Sequence, residues 1–147
     1  MEIIYEIISN KILINGIIAW AVAQVLKTLI HAGVNRRFDW HRLFGDGGMP
    51  SGHSATVTSM AATAAYECGF GSPVFALSAM LATIVMKDAM GVRLETGKQA
   101  KIINEITNLL DPEEPFSQQH LKEFVGHTPL QVFFGAVLGI IVAIWCR

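Results

Sequence analysis

A chain of 147 residues is long enough for one domain. Apolar residues make up 52% and charged residues only 16%, with a mean hydropathy of +0.43; a soluble domain carries about 25% charged residues, so a small all-α integral membrane bundle is the better class. The net charge of -1 gives no support to nucleic-acid binding, and Cys68 and Cys146 form no metal-ligand spacing and give no ground for a disulfide.

Residues 1–11 place Ile3, Ile4, Ile7 and Ile8 at helical spacing, which predicts a short helix lying on the membrane or on its neighbours. Glu2 and Glu6, without a small-residue cleavage site, speak against a signal peptide. Residues 12–34 form the first predicted span, long enough to cross a hydrocarbon core of about 30 Å. Lys27 interrupts its second half. Two readings are open there: a cation facing the bundle interior or a polar cavity, or one snorkelling to the near interface.

Residues 35–52 read as a polar loop with Arg36, Arg37, Arg42, Asp39 and Asp46; Trp40 suits an interfacial anchor, and His41 receives no role. The loop ends in Gly45-Asp46-Gly47-Gly48-Met49-Pro50-Ser51-Gly52-His53-Ser54, the stretch that organises the chain. Glycines let a backbone approach a ligand, and a helix start offers unpaired N–H groups to an anion. A histidine placed there can hydrogen-bond a phosphate or pass it a proton. The plainer reading is a Ser-capped helix start with an incidental histidine.

Residues 54–70 predict a second helix, rich in Ala, Ser and Thr, suited to close packing inside a bundle. Residues 72–91 predict a third span, with Asp88 and Arg93 at one membrane surface. Residues 92–110 read as an interfacial amphipathic helix, apolar through Ile102, Ile103, Ile106, Leu109 and Leu110. Asp111-Pro112-Glu113-Glu114-Pro115 stops it; residues 116–125 are read as one or two further turns, with His120 solvated. Residues 127–146 form the last predicted span, opened by Thr128 as cap and Pro129 at the first helical position.

With four crossings, Lys27, Arg36, Arg37, His53, Asp88, Arg93 and His127 all fall on one membrane face. Two histidines and several cations make a site for a phosphate dianion. Arg36, Arg37, Arg42, Arg93, Lys98, Lys101 and Lys122 lie on that side, against Lys11 and Arg147 on the other. The positive-inside rule then sets the site at the cytoplasmic face and both termini outside.

Pro50-Ser51-Gly52-His53 resembles the central motif of the type 2 phosphatidic acid phosphatase superfamily, which includes membrane lipid phosphatases and vanadium haloperoxidases. Asp88-Ala89-Met90-Gly91-Val92-Arg93 and Gly126-His127-Thr128-Pro129 look like its divergent bacterial and plant branch, and the likeness runs from Lys27 to Gly139. The resemblance implies hydrolysis of a lipid-linked phosphate or pyrophosphate with no metal or other cofactor. It makes His127 the nucleophile that becomes a phosphohistidine and His53 the general acid. Arg93 matches the third motif's arginine, and Lys27 with Arg36 or Arg37 stands for the first motif. Ser51 and Gly52 would cradle the phosphate, and Asp88 would supply charge to the site. A bacterial plasma membrane, or a plastid membrane in a plant, is the implied location.

Three departures stand out. Eight residues separate Lys27 from Arg36, where six are usual, and Phe38 follows Arg37 in place of the usual proline. The stretch 94–126 separates Arg93 from His127, which usually share one short segment. Gln131 stands where the nucleophile's carboxylate partner is usual; an amide can orient the ring but stabilises an imidazolium far less. The alternative function is a non-catalytic binder, carrier or assembly factor for a lipid phosphate that keeps the fold.

His127, Gln131, Gly135 and Gly139 recur every four residues and so share one helix face. Gly135 and Gly139 also form a GxxxG, usually read as a dimerisation face. A homodimer thus competes with packing inside the chain. If His127 is catalytic, the glycines should meet the alanine-rich second helix, and the two imidazoles should lie about 5–8 Å apart for in-line transfer.

Overall fold

The computed structural model describes residues 1–36, 40, 48–110, 121–123 and 126–147. Among them are six helices and no strand: α1 (Glu2–Ser9), α2 (Lys11–Asn35), α3 (Gly52–Cys68), α4 (Pro73–Met90), α5 (Val92–Leu110) and α6 (Pro129–Trp145). The protein is an all-α bundle. Arg37, Asp39, His41, Arg42, Asp46, the Asp111–Pro115 stop and His120 lie outside the described residues, and the described residues 121–123 are not helical.

The helix starts follow capping chemistry. Asn10, Ser51, Ser72 and Thr128 each accept a hydrogen bond from a backbone N–H in the first turn of α2, α3, α4 and α6. Pro73 and Pro129 fill first-turn positions where no N–H is needed.

α3 is the hub, packed against α2, α4 and α6. Its buried residues are Gly52, Ser54, Ala55, Val57, Ser59, Ala61, Thr63, Ala64 and Ala65. The largest wholly buried side chains in the described structure are serines: Ser51, Ser54 and Ser59. Small side chains let the helix axes approach closely, and this closeness replaces bulk in holding the bundle together. The polar groups enclosed by that packing find internal partners. Asn15 Nδ2 donates to Thr63 Oγ1 at 3.1 Å, and Ser59 Oγ donates to the Asn15 carbonyl at 3.1 Å. Such pairing is what a water-free interior demands.

Two segments are long and apolar enough to cross a membrane: α2, with a mean hydropathy of 1.7, and Pro73–Thr107, with 1.5. α6 is apolar but only 17 residues long, and α3 has the same length. Four crossings were expected; length and composition support two of them directly, with α6 a shorter apolar helix. The outward faces of α2, α4 and α6 carry exposed Leu29, Leu77, Ile84, Phe133 and Ile141, the surface a lipid-facing bundle presents.

α4 and α5 meet at Gly91, whose N–H donates to the Lys87 carbonyl at 2.9 Å. The C-terminal ends of α2 and α4 and the N-terminal ends of α3 and α6 meet at one end of the bundle. Backbone bonds join them: Ser51 N–H donates to the Gln131 carbonyl at 3.1 Å, and His127 N–H to the Ala89 carbonyl at 3.0 Å.

Candidate functional site

Pro129 and the Thr128 cap begin α6 immediately after His127, so the histidine sits on an irregular segment with a fixed end. Its backbone N–H is held by Ala89 at the end of α4. The residue before it passes so close to the α4–α5 junction that a Cβ on Gly126 would strike the backbone of Arg93 and Leu94. Only glycine fits there. The segment just upstream is tied as well: Asn104 of α5 donates from Nδ2 to the Leu121 carbonyl at 2.9 Å and accepts from Leu121 N–H at 3.0 Å.

His127 is 3% exposed. Its Nδ1 lies 3.3 Å from Gln131 Oε1. The same oxygen accepts from Thr128 N–H at 3.0 Å, closing a reciprocal capping box in which Thr128 Oγ1 accepts from Gln131 N–H. A backbone donor therefore fixes the amide so that oxygen, not nitrogen, faces the imidazole. An acceptor beside Nδ1 requires a proton on Nδ1, which leaves Nε2 of the neutral ring with its lone pair.

His53 comes from the first turn of α3. Its ring centroid lies 6.1 Å from that of His127, with the ring planes at 60°. This separation falls inside the 5–8 Å range expected for two groups that share one phosphoryl centre. Both rings line a cleft of about 570 Å³ together with Lys27 and Gly52. Lys27 is 5% exposed and so faces the bundle interior; the snorkelling alternative does not describe it. Gly48, with φ of +85°, lies against its aliphatic stem, where an added Cβ would come within 3.0 Å of Cδ.

The remaining candidates lie elsewhere. Ser51 is wholly buried and serves α3: its Oγ accepts from Ser54 N–H at 3.4 Å and from Ser54 Oγ at 3.0 Å. Arg36 ends α2 in a left-handed conformation and is exposed. Arg37 is outside the described residues. Arg93 Nε donates to Asp88 Oδ2 at 2.6 Å, and the two side chains are 44% and 39% exposed. Neither lines the cleft. Their segment nonetheless seats His127 through backbone, by the Ala89 carbonyl and the close pass of Gly126. Among the described residues no three His, Cys, Asp or Glu side chains converge.

Gln24, Trp20 and Thr56 also line the cleft and were not singled out from sequence. The signal was there for two of them: Trp20, Gln24 and Lys27 are spaced by four and three residues and so share a face of α2.

A family model described as "Divergent PAP2 family" matches residues 8–142. Among curated proteins, the chain is 39% identical to the "Uncharacterized membrane protein YuiD" of Bacillus subtilis (strain 168) over 150 aligned positions, 95% of each chain. No solved structure matches.

Proposed function

Because the chain belongs to the Divergent PAP2 family, we propose that its histidine pair hydrolyses a lipid-linked phosphate or pyrophosphate through a phosphohistidine. The observation that carries this reading is the 6.1 Å approach of His53 to His127 beside a buried lysine. In the first step Nε2 of His127 attacks phosphorus and the bond to the leaving oxygen breaks, while His53 delivers the proton that oxygen needs. Water then attacks the phosphohistidine, giving its proton to His53, and the N–P bond breaks to release phosphate. Lys27 offsets charge on the equatorial phosphoryl oxygens, the role a fixed cation plays in phosphoryl transfer. A histidine's ordinary pKa of roughly 6.5 suits both halves of the proton traffic. The excess of Arg and Lys in the sequence on this side supports a cytoplasmic site.

Purified protein in detergent is expected to release phosphate from a lipid phosphate in a vanadate-sensitive reaction that EDTA leaves unchanged. Quenching with alkaline detergent and labelled substrate should trap an acid-labile, base-stable phosphoprotein. Loss of activity in EDTA, restored by a divalent ion, would contradict the mechanism.

A second reading, a lipid-phosphate binder that turns nothing over, draws on Gln131. An amide holds the ring of His127 but brings no charge to the imidazolium that forms when the bond to phosphorus does. Gln131→Glu discriminates. Glutamate is equally suited to the capping box, so the start of α6 should persist. Turnover should rise by about tenfold or more, since the carboxylate stabilises the charged ring. An unchanged or lower kcat in a well-folded variant would mean that His127 does not become cationic in the slow step.

A further inference from the structure

The cleft continues well beyond the histidines. Along α2 it is lined by Leu13, Gly16, Ile17, Trp20, Gln24 and Lys27. Those spacings make one stripe on one helix face, about 21 Å long at 1.5 Å per residue. Met60 of α3 and Val85 of α4 line the same cleft. The charged and imidazole groups, Lys27, His53 and His127, occupy one end, and Leu13 and Ile17 mark the other. The chemistry therefore changes along the length, from cationic and hydrogen-bonding to hydrocarbon.

Two details bear on how the stripe takes a ligand. Gly16 lets the Met60 side chain lie against the α2 backbone, where a Cβ would come within 2.8 Å of Met60 Cγ. Methionine is the wall residue best able to adjust to a flexible ligand. Gln24, at the junction of the two chemistries, is 9% exposed, and its shielded Oε1 has no hydrogen-bond partner among the described residues. Buried amide oxygens are ordinarily paired. Once the amide turns its oxygen toward the cleft it lines, a protonated phosphate oxygen held by Lys27, three residues on, supplies the missing donor.

A volume of about 570 Å³ drawn out over that length suits one extended hydrocarbon chain and not two. α2 contributes a single stripe, and α2 and α3 are pinned together beside it by the Asn15–Thr63 and Ser59–Asn15 bonds. The length exceeds one leaflet of the hydrocarbon core, about 15 Å. We propose that the cleft takes a phosphate ester of a single long hydrocarbon chain. Its phosphate sits at Lys27, His53 and His127, its first carbons pass Gln24 and Trp20, and its chain lies against α2 as far as Leu13. The position of the phosphate rests on the phosphatase reading; the fit of the chain does not.

Trp20 makes a direct test, because the chain contains only three tryptophans. The full-length protein carrying Trp40→Phe and Trp145→Phe, in nanodiscs, is titrated with hexadecyl phosphate brominated along its chain. Trp20 fluorescence should fall saturably and recover on adding unbrominated hexadecyl phosphate. Brominated hexadecanol and a brominated two-chain phosphatidate should need at least tenfold higher concentrations, and inorganic phosphate should not displace the alkyl phosphate at the same concentration. Gly16→Leu, and separately Val85→Phe should the first fail to fold, should raise the half-quenching concentration tenfold or more. Gly33→Leu, at a glycine with nothing within 4 Å, should not. Equal quenching by the alcohol or the phosphatidate, or indifference to both filling substitutions, would overturn the assignment. Quenching without phosphate release would leave the assignment standing and remove the phosphatase reading. Phosphate release from butyl and hexadecyl phosphate alike, with no specific quenching, would do the reverse.

Discussion

His127→Ala is expected to abolish phosphate release from every substrate, a loss on the order of 10⁴-fold or more, because no covalent intermediate can form. His53→Ala should behave differently. Loss of a general acid costs about 10²–10⁴-fold when the leaving oxygen is a poor one. An alkyl phosphate leaves as an alkoxide and needs the proton; a nitrophenyl phosphate leaves as a stable anion and needs it far less. The His53 variant should therefore lose much more activity toward the alkyl ester than toward the nitrophenyl ester, whereas the His127 variant loses both. The backbone seat of residue 127 should survive in the His127 variant, because the bond to the Ala89 carbonyl comes from the backbone N–H. Phosphate assays on the two esters, with circular dichroism as control, check the pattern. Equal losses on both esters for both variants would reverse the assignment of roles or remove it.

Gly135→Leu has the second large effect. A side chain at this position would meet the Ser51 carbonyl and, at 2.9 Å, the Ser54 Cβ. At Gly139 it would meet the Ala55 carbonyl and, at 2.9 Å, the Ser59 nitrogen. These are backbone atoms and a Cβ of α3 and its cap, fixed by the helix with no rotamer to yield. Overpacking of a closed contact costs typically 1–3 kcal/mol, and more where no side chain can move aside. The same displacement breaks the Ser51–Gln131 backbone bond that sets α3 beside α6, and so separates the histidines. Stability and activity should fall together, with melting temperature and turnover measured on one preparation. A fully active, well-folded Gly135→Leu monomer would restore the dimer reading of the glycine stripe.

The helices were legible because their signals are local. Asn, Ser and Thr caps, first-turn prolines and long apolar runs set the bounds of α2, α4 and α6 within about two residues of those expected. The glycine stripe was legible too, since His127, Gln131, Gly135 and Gly139 share a face by spacing alone. Side-chain direction was not. Motif likeness put Arg93 on the phosphate, but Arg93 and Asp88, five residues apart across the break at Gly91, pair with each other at the surface. What their segment gives His127 is a carbonyl and a close backbone surface, and no residue type encodes that. Lys27 remained undecided for the related reason that a long side chain can turn either way. Its helix neighbours Gln24 and Trp20 would have decided it, had the face been read as a whole.

The serine-sized interior of α3 has a consequence for how this sequence can change. In an ordinary core, truncating a leucine opens a hole, and shortening is the dangerous direction. Here the central helix has almost nothing to shorten: its wholly buried side chains are alanines and serines. Where buried alanines meet a neighbouring helix there is little to lose, and every added methyl group is a wedge between two backbones; the hydroxyls of Ser59 and Thr63, bonded to Asn15, are the exceptions. Drift at these buried positions is confined to small residues, so the position of His53 is protected by the poverty of its surroundings.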